Sequence, residues 1–512
     1  MVKEPASTSY QNSTALSRLV EELPRIVEDA GVSLGAIIES ATYGSKSKYD
    51  QSLRQLDAII PNFVSKHVRK VCQQEMRNLN SANHTADQSL QPSAKETRDL
   101  KELNHTADQS LQPSAKEAFA ALVMVDVSGY SKLAAALAER GSEGAEILSK
   151  TMKGYFDLII DVIENHGGDI VKFAGNLLIK SGDAVILCWK SEEIADLEDA
   201  SQDIARGELV FQAANCCLKL LTNLGTFAID IEGCDTKFLR IHLGIGAGSV
   251  FDVVVGGDNN RWEHFVAGES SLQLAQVLDL AKAGTWFVTS GELALSHQAL
   301  RYLGYVIDIR TLDLGNYDKR CIKLIGLEKA KRKGRAARVP EEKAEDIDCP
   351  ELLEMYKRFM DRTAIFKLQS DVNQSRLFGM DINLKEMLNH SELRQVTTIF
   401  IKIGSLQILD RDALLYESQK AISIVLKALQ KYEGSLRQFH VDDKGAGILC
   451  FFGLPPLAHD NDAKHGLQAG MEIRSGFLKI FDKFAMGITT GVVSYGGVGS
   501  NGRAEYAVVR DF

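Results

Sequence analysis

Two stretches of this 512-residue chain repeat the same short apolar segments in the same order. In the first part of each stretch, the segment at 121–127 matches TTIFIKI at 397–403, and DAVILCW at 183–189 matches GAGILCF at 445–451. In the second part, HLGIGAGSV at 242–250 matches AMGITTGVV at 485–493, and EHFVAGE at 263–269 matches EYAVVRD at 505–511. Because four matches recur in one order and at similar spacing, they indicate two copies of one domain.

Each copy alternates strand-like and helix-like segments. In the first copy, GDIVKFA, FLRIHLGIGAG and TWFVTS (285–290) are short and rich in apolar residues, which is typical of strands. Two longer segments, at 142–167 and 205–225, place apolar residues at helical spacing. This alternation predicts an α/β or α+β domain.

The regions outside the two copies have a different composition. Residues 1–80 show roughly helical apolar spacing, and NHTADQSLQPSAKE occurs twice, at 83–96 and 104–117, with the polarity of an exposed linker. The predicted organisation is a helical N-terminal segment at 1–80, a duplicated polar linker at 81–117, a first domain at 118–328, a charged and helical linker at 329–390, and a second domain at 391–512.

Charge and cysteine content limit the classes of function. A formal net charge of −9 gives no reason to expect nucleic-acid or membrane-surface binding. The polar start MVKEPASTSYQ lacks the apolar run of a signal peptide, and the apolar run from Ala118 to Val125 is too short to span a bilayer. The eight cysteines are scattered without a C-x-x-C pair, as in a reducing compartment. We therefore expect a cytoplasmic protein without a transmembrane segment.

The two copies differ where the first copy carries acidic residues. Asp126 is aligned with Lys402, and Asp183 with Gly445. Taken alone, each aspartate is a common strand-end residue, but two carboxylates at adjacent strand ends, both lost in the second copy, indicate a shared site for hard cations such as Mg²⁺. The turn at 128–130, formed by Ser128, Gly129 and Tyr130, is suited to directing backbone N–H groups at a phosphate chain.

Several motifs in order resemble class III nucleotide cyclases, and among them the bicarbonate-responsive soluble adenylyl cyclases. They are MVDVSGY, GGDIVKFAG, GDAVILCW, RIHLGIGAG, ELRQVTTIFI, DDKGAGILCFFGLP and GITTGVVSYGGVGSNGRAEY. The resemblance covers about 118–328 and 391–512. It implies an α+β fold with two ferredoxin-like cyclase domains in tandem, each an antiparallel sheet with packed helices, that pair head to tail within the chain as a pseudo-dimer.

The resemblance also implies a site and a reaction. Asp126, Asp183 and the Val127 carbonyl would hold two Mg²⁺ ions, with Ca²⁺ or Mn²⁺ as alternatives. The ribose 3′-hydroxyl of ATP would attack the α-phosphate, and pyrophosphate would leave. The second domain would supply base-reading residues, a ribose-orienting Asn and a phosphate-stabilising Arg. Catalysis of this kind depends mainly on positioning and electrostatics.

Other positions depart from the family pattern. Residues 176–182 separate Gly175 of KFAG from Asp183, whereas the family reads K-F-x-G-D-A without a gap. Gln438 and Ala507 stand at the base-recognition positions, so neither an adenine nor a guanine code is intact, and His242 stands at a phosphate-binding Lys position. Lys172 matches the Lys of the family's bicarbonate pocket, but the partner Arg is missing, and a salt bridge is an equal alternative to anion sensing.

The sequence as given ends at AEYAVVRDF, before the family's Asn and Arg motif, and so predicts a second domain truncated at its C-terminus. The prediction for the full gene product is an adenylyl cyclase that forms cAMP in intracellular signalling, with negligible cyclisation by residues 1–512 themselves. The alternatives are a catalytically impaired pseudo-cyclase that binds nucleotides or anions as a regulatory module, and a guanylyl cyclase.

Overall fold

The computed structural model divides the chain into two units, Met1–Ala58 and Ile59–Phe512. The structure describes residues 57–89, 111–173 without 139, 184–190, 199–230, 235–283, 292–318, 321–333, 349–377, 392–499 without 405 and 443, and 503–509. The features below lie within the second unit. Three predicted features lie outside the described residues: the insert at 176–182, the strand at 285–290 and most of residues 1–80.

A nine-stranded sheet forms the first half of this unit. Its strands are β1 (Ser114–Ser128), β2 (Asp169–Phe173), β3 (Ala184–Lys190), β4 (Thr226–Ile229), β5 (Lys237–Gly256), β6 (Trp262–Gly268), β7 (Glu292–Ser296), β8 (Asp313–Asp318) and β9 (Cys321–Gly326). The order is β2-β3-β1-β5-β7-β9-β8, and β4 and β6 also pair with β5. The pairings are antiparallel except for the parallel pair β5–β7.

A five-stranded antiparallel sheet forms the second half. Its strands are β10 (Glu392–Ile403), β11 (Ser435–Asp442), β12 (Gly445–Phe452), β13 (Phe484–Gly499) and β14 (Ala504–Val509), in the order β11-β12-β10-β13-β14. Every residue of β12 is buried, which explains its continuous apolar sequence GAGILCFF.

The two sheets share one strand order and nearly one register. The order β2-β3-β1-β5-β6 of the first half equals β11-β12-β10-β13-β14 of the second. Asp126 lies opposite His242 as Lys402 lies opposite Ala485, in agreement with the sequence repeat. The register differs by one residue at the next strand, where Asp126 faces Ala184 but Lys402 faces Gly447.

Ten helices pack on these sheets within the described part of the chain. They are α1 (Lys66–Ser89), α2 (Tyr130–Ala138), α3 (Ser142–Asn165), α4 (Asp199–Leu224), α5 (Glu269–Ala283), α6 (His297–Val306), α7 (Pro350–Lys357), α8 (Arg362–Leu377), α9 (Arg411–Tyr432) and α10 (Asp462–Phe477). In α3, buried residues recur at helical spacing, such as Leu148, Met152, Tyr155 and Ile159, and they join the core of the first half. The predicted α+β fold class is confirmed.

Reciprocal contacts join the two halves. Helix α3 of the first half contacts β13, and the equivalent helix α9 of the second half contacts β5. One apolar cluster combines Val253, Val255 and Phe265 with residues of the second sheet. At its edge, the Gly256 N–H donates to Gln419 Oε1 at 2.9 Å, and Gln419 Nε2 donates back to the Gly256 carbonyl at 2.8 Å. Apolar burial and polar pairing therefore both stabilise this contact.

The structure narrows the predicted polar linker at 81–117. Helix α1 continues to Ser89, and β1 begins at Ser114, so both ends of the linker belong to regular elements. Residues 114–117 pair with Phe251–Val254 of β5. These residues therefore form a strand although their composition is polar, because the hydrogen bonds to β5 stabilise the extended conformation. Among the described residues, no helix is both long enough and apolar enough to cross a bilayer.

Candidate functional site

Asp126 is a buried carboxylate near the end of a central strand. It lies in β1 between Ala184 of β3 and His242 of β5, and 4% of its surface is exposed. Val127, which carries the second predicted ligand atom, is buried beside it. Asp183 itself lies outside the described residues, although its chain neighbour Ala184 faces Asp126 directly. The structure thus places Asp126 and Val127 at the edge where the sequence expects the metal site, and it describes one of the two predicted carboxylates.

The turn after Asp126 requires glycine. Gly129 has φ = 99°, and a Cβ at this position would lie 2.3 Å from the Phe238 carbonyl oxygen. This turn starts helix α2, and the Leu133 N–H donates to the Gly129 carbonyl at 3.1 Å. The first N–H groups of a helix have no partner within the helix and favour anions. The backbone therefore fits the predicted phosphate-binding role, and the side chain of Tyr130 lies outside the described residues.

His242 and Ser128 form a polar contact beside this turn. The Ser128 hydroxyl lies 3.2 Å from His242 Nε2 and 3.3 Å from the Arg240 carbonyl oxygen. Both side chains come from neighbouring strand positions at the end of the β1–β5 ladder. The structure therefore brings together Asp126, Ser128 and His242 of the predicted site.

The equivalent edge of the second half carries an ion pair. Lys402 Nζ donates to Asp442 Oδ1 at 2.8 Å. Gly445 has φ = 102°, and a Cβ there would lie 1.9 Å from the Ile403 carbonyl oxygen. Backbone geometry therefore accounts for glycine at 445, and the aspartate-to-glycine difference cannot by itself indicate loss of a function. In the strand register, Ala184 corresponds to Gly447, one residue beyond the Ala446 that the sequence repeat aligns with it.

A cavity of about 80 Å³ lies where the two halves meet, and it is lined by charged residues from both. In the first half, Glu263 accepts from Lys172 at 2.9 Å and from Arg261 at 2.6 Å. Lys172 also donates to the Phe439 carbonyl of the second half at 2.6 Å. The predicted anion-sensing lysine is thus held in a buried ion pair within the first half and by a hydrogen bond that crosses to the second half.

The second half repeats this arrangement with arginines. Glu505 pairs with Arg437 and lies 3.7 Å from Arg503 Nη2. Burial alone would raise the pKa of Glu505, but Arg437 and Arg503 hold it below its ordinary value. Sequence reasoning missed this cluster. The sequence does carry a signal for it, because the pattern Arg-x-Glu occurs at equivalent positions in both halves, at 261–263 and at 503–505.

The predicted base-recognition positions lie near this interface. Gln438 is buried in β11 opposite Leu449, next to a register shift in the β11–β12 ladder. Ala507 lies in β14 opposite Gly496, and its side chain is outside the description. The structure places both positions in the second sheet, and their role in base recognition stays a prediction.

A buried polar network attaches helix α1 to the first sheet. Asp252 accepts from His67 Nε2 at 2.9 Å, lies 2.5 Å from His264 Nε2, and pairs with Lys190. Lys190 also donates to His67 Nδ1 at 2.6 Å, and the Asp169 carboxylate accepts the backbone N–H groups of the first turn of α1. Sequence reasoning did not find this network, because its members come from five separate elements.

The pKa values in this network follow from burial and charge. Burial lowers the pKa of His67, against the raising effect of Asp252, and His264 and Lys190 lower it further. Burial would raise the pKa of Asp252, but His67 and His264 hold it well below its ordinary value. The network therefore favours an ionised aspartate and a neutral His67.

Comparison with known proteins gives relatives of one kind. The chain is 23% identical to adenylate cyclase type 10 of Oryctolagus cuniculus over 410 residues, which is 76% of this chain and 23% of that protein. The human adenylate cyclase type 10 is 22% identical with the same coverage. The chain thus spans about a quarter of the length of these curated relatives. No family model matches the chain.

Solved structures give weaker similarities. A class III adenylyl cyclase-like ATP-binding protein from Pseudomonas aeruginosa covers 77% of this chain and 79% of its own, with 10% identity and a TM-score of 0.43. The guanylyl cyclase Cya2 covers 42% of this chain and 93% of its own, with 16% identity and a TM-score of 0.27.

The relatives confirm the resemblance to class III nucleotide cyclases that the sequence motifs predict. Within that class, the homologues in sequence are adenylate cyclase type 10 proteins.

Proposed function

We propose that this chain is the paired-domain module of a class III nucleotide cyclase that converts ATP to cAMP and pyrophosphate in the cytoplasm. The observation that carries the proposal is Asp126, a buried carboxylate at a strand end beside a glycine turn and a helix N-terminus. The second half keeps the same strand register but has Lys402 there. The adenylate cyclase relatives support ATP as the nucleotide, and GTP remains the alternative substrate.

The oxygen donors at this edge fit magnesium. The Asp126 carboxylate and the Val127 carbonyl are hard ligands of the kind Mg²⁺ prefers, and Mn²⁺ and Ca²⁺ accept the same donors. Asp126 and Val127, with Asp183 as a further ligand, would hold two such ions, which neutralise phosphate charge and favour ionisation of the ribose 3′-hydroxyl when bound. The N–H groups after Gly129 would bind the phosphate chain, and a protonated His242 would add a cationic donor.

The contacts between the halves support a head-to-tail pseudo-dimer. The equivalent helices α3 and α9 each contact a strand of the opposite half, and Lys172 donates to the Phe439 carbonyl. In such a pair, Gln438 and Ala507 of the second half would face the base. These residues match neither purine code of the family, so cAMP and cGMP formation are both measured in the test below.

A second candidate function is a regulatory module that binds nucleotides or small anions without turnover. It is favoured by the cavity between the halves, whose lining includes four cationic side chains, Lys172, Arg261, Arg437 and Arg503, and three carboxylates, Glu263, Asp361 and Glu505. Bicarbonate is the anion that the sequence resemblance implies. An anion there would compete with Glu263 for Lys172, so binding would require this ion pair to open.

The test combines product formation and binding. The full gene product is assayed for cAMP and cGMP from ATP and GTP with Mg²⁺ or Mn²⁺, and metal-dependent nucleotide binding is measured on residues 1–512. Asp126→Asn should lower cAMP formation and metal-dependent binding by about 10²–10³-fold. Asp442→Asn, at the equivalent edge of the second half, is the control and should change neither strongly.

The outcomes separate the hypotheses. Nucleotide or bicarbonate binding without product in the wild-type protein would favour the regulatory module. Full activity of Asp126→Asn would exclude the metal role of this edge, and cGMP in place of cAMP would reverse the purine assignment.

A further inference from the structure

Three side chains from three chain segments converge at one edge of the second half, away from Asp126. They are Glu433 at the C-terminal end of α9, His459 in the connection before α10, and His465 within α10. The carboxylate oxygen and imidazole nitrogens of these residues all lie within 4.8 Å of one another. The two imidazole rings stack with their centroids 4.3 Å apart. Two imidazoles and a carboxylate thus already lie close together, and none of the three side chains has to move far to reach the others.

Each imidazole is oriented by a hydrogen bond on its Nδ1 side. His459 Nδ1 lies 3.1 Å from Asp462 Oδ1, and its Nε2 lies 2.8 Å from Glu433 Oε2. His465 Nδ1 lies 3.1 Å from the Tyr432 carbonyl oxygen, to which it can only donate, and this fixes the lone pair on Nε2. Histidine ligands of metals usually donate their other ring N–H to a carboxylate or a backbone carbonyl. Both kinds of support occur here, one on each histidine.

The supporting groups are themselves held in place. Asp462 also accepts the backbone N–H of His459, at 3.2 Å to Oδ1 and 3.3 Å to Oδ2. The Tyr432 hydroxyl donates to Glu472 Oε2 at 2.9 Å, which ties the end of α9 to α10. Preorganised ligands lower the cost of ordering a site when a cation binds.

We propose that Glu433, His459 and His465 form a zinc-binding site that joins the end of α9 to the start of α10. Two imidazoles and one carboxylate are a common protein ligand set for Zn²⁺, with a water molecule in the fourth position. The Glu433 side chain is 56% exposed and that of His459 is 25% exposed, so solvent can reach this position. A bound cation would replace the direct contact between His459 and Glu433. This site is independent of the proposed cyclase function.

The described residues contain one other group with metal-type ligands, His67, Asp252 and His264. There the Lys190 ammonium pairs with Asp252 and donates to His67 Nδ1. The carboxylate charge is thus already balanced, and a cation would add positive charge to a buried site. The exposed group around Glu433 does not carry this cost, so it is the stronger zinc site.

The experiment is a zinc titration of the purified, metal-free chain in competition with a chromophoric chelator, with Co²⁺ absorption as a second readout. We expect saturable Zn²⁺ binding, which His465→Gln and Glu433→Gln each weaken at least about tenfold, as expected for loss of a ligand. Asp462→Asn should weaken binding by about 10-fold through loss of the support on His459 Nδ1. Zinc should raise the melting temperature of the wild-type chain more than that of either ligand variant.

Two controls make the result specific. His166→Gln removes a histidine whose Nδ1 also lies near a backbone carbonyl, at 2.7 Å from Val162, but which belongs to neither metal-type group, and it should bind Zn²⁺ like the wild type. Asp442→Asn, which removes a carboxylate that belongs to neither metal-type group and has no role in the proposed cyclase site, should also leave Zn²⁺ affinity unchanged. Because Glu433 is exposed, Glu433→Gln is expected to fold normally. Unchanged affinity in both Glu433→Gln and His465→Gln, or no saturable zinc binding, would overturn the proposal.

Discussion

The two halves use the same backbone positions for different chemistry. At the strand edge, Asp126 and Lys402 occupy equivalent register positions, the first buried and the second paired with Asp442. On the next pair of strands, Asp252 and His264 of the first half are replaced by the tyrosines at 495 and 506 in the register of the second. The fold therefore tolerates an acid, a base or a phenol at these positions, and their identity carries information about function.

The second difference determines which helix each half holds. Asp252 and His264 hold His67 of helix α1 by a titratable network. The Tyr495 hydroxyl instead donates to Thr363 Oγ1 at 3.2 Å, and the Tyr506 hydroxyl donates to Asp371 Oδ2 at 3.1 Å, both in helix α8. Equivalent sheet surfaces thus bind two different helices, one mainly by ionic contacts and the other by phenol hydroxyls.

The largest expected effect tests the charged cavity between the halves. Glu505 depends mainly on Arg437, because Arg503 Nη2 is 3.7 Å away, whereas Glu263 has both Lys172 and Arg261 within 3 Å. Arg437→Met should therefore destabilise the chain by about 3–5 kcal/mol, the cost of leaving a buried charge without its partner. Lys172→Met should cost less, about 1–3 kcal/mol, since Arg261 remains.

Chemical denaturation of both variants measures this difference. The comparison of the two halves would fail if Lys172→Met destabilised the chain as much as Arg437→Met. A double variant that combines Lys172→Met with Arg261→Met should lower the free energy of unfolding about as much as Arg437→Met does.

The next effect concerns the hairpin at Gly445. Gly445→Ala should destabilise the chain by about 2–4 kcal/mol, because φ is positive and the new Cβ would approach the Ile403 carbonyl. The measurement is the melting temperature, with Gly154→Ala in helix α3 as the control, since a Cβ there meets nothing within 4 Å. A tolerated Gly445→Ala would restore the interpretation that the second half lost an acid there for functional reasons.

The repeat and the fold class could be predicted, because apolar segments at matched spacing indicate which strands are equivalent. The position of Asp126 near the end of a buried strand could be predicted as well, and its role as a metal ligand stays a prediction. The role of Gly445 could not be predicted, because its glycine depends on one carbonyl in a neighbouring strand. The network of His67, Asp252 and His264 leaves no periodic signal, since its members meet only through tertiary packing.

A smaller effect sharpens the comparison of the two helix attachments. The folded pKa values of His67 and Asp252 are both lowered, so both groups stabilise the folded state above their unfolded pKa values and lose this contribution as pH falls. As pH falls below the ordinary pKa of 6.5, His67 would have to accept a proton beside Lys190, with His264, Asp252 and Asp169 also facing it. Attachment of α1 should weaken in this range.

Hydrogen exchange of α1 amides between about pH 7 and 5 measures this, with α8 as the internal reference. Each pH unit by which the pKa of His67 in the folded state lies below its pKa in the unfolded state corresponds to about a tenfold change in the equilibrium constant for opening of α1. His67→Gln should remove most of the pH dependence in α1. Equal acceleration of exchange in α8 would show that the effect is global and not specific to this network.

The smallest expected effect returns to the strand edge. Lys402→Met removes an ion pair in which Lys402 is 26% and Asp442 is 37% exposed, so solvent screening limits the loss to about 0–1 kcal/mol. Asp442 keeps the backbone N–H of Lys444 as a donor at 2.9 Å, and nucleotide or metal binding should not change. The free energy of unfolding and the metal-dependent nucleotide affinity are measured for Lys402→Met and, for comparison, for Asp126→Asn. If Lys402→Met is nearly neutral while Asp126→Asn keeps the fold and loses binding, folding does not require a charged residue at this register position, and the carboxylate of the first half is retained for its ligand.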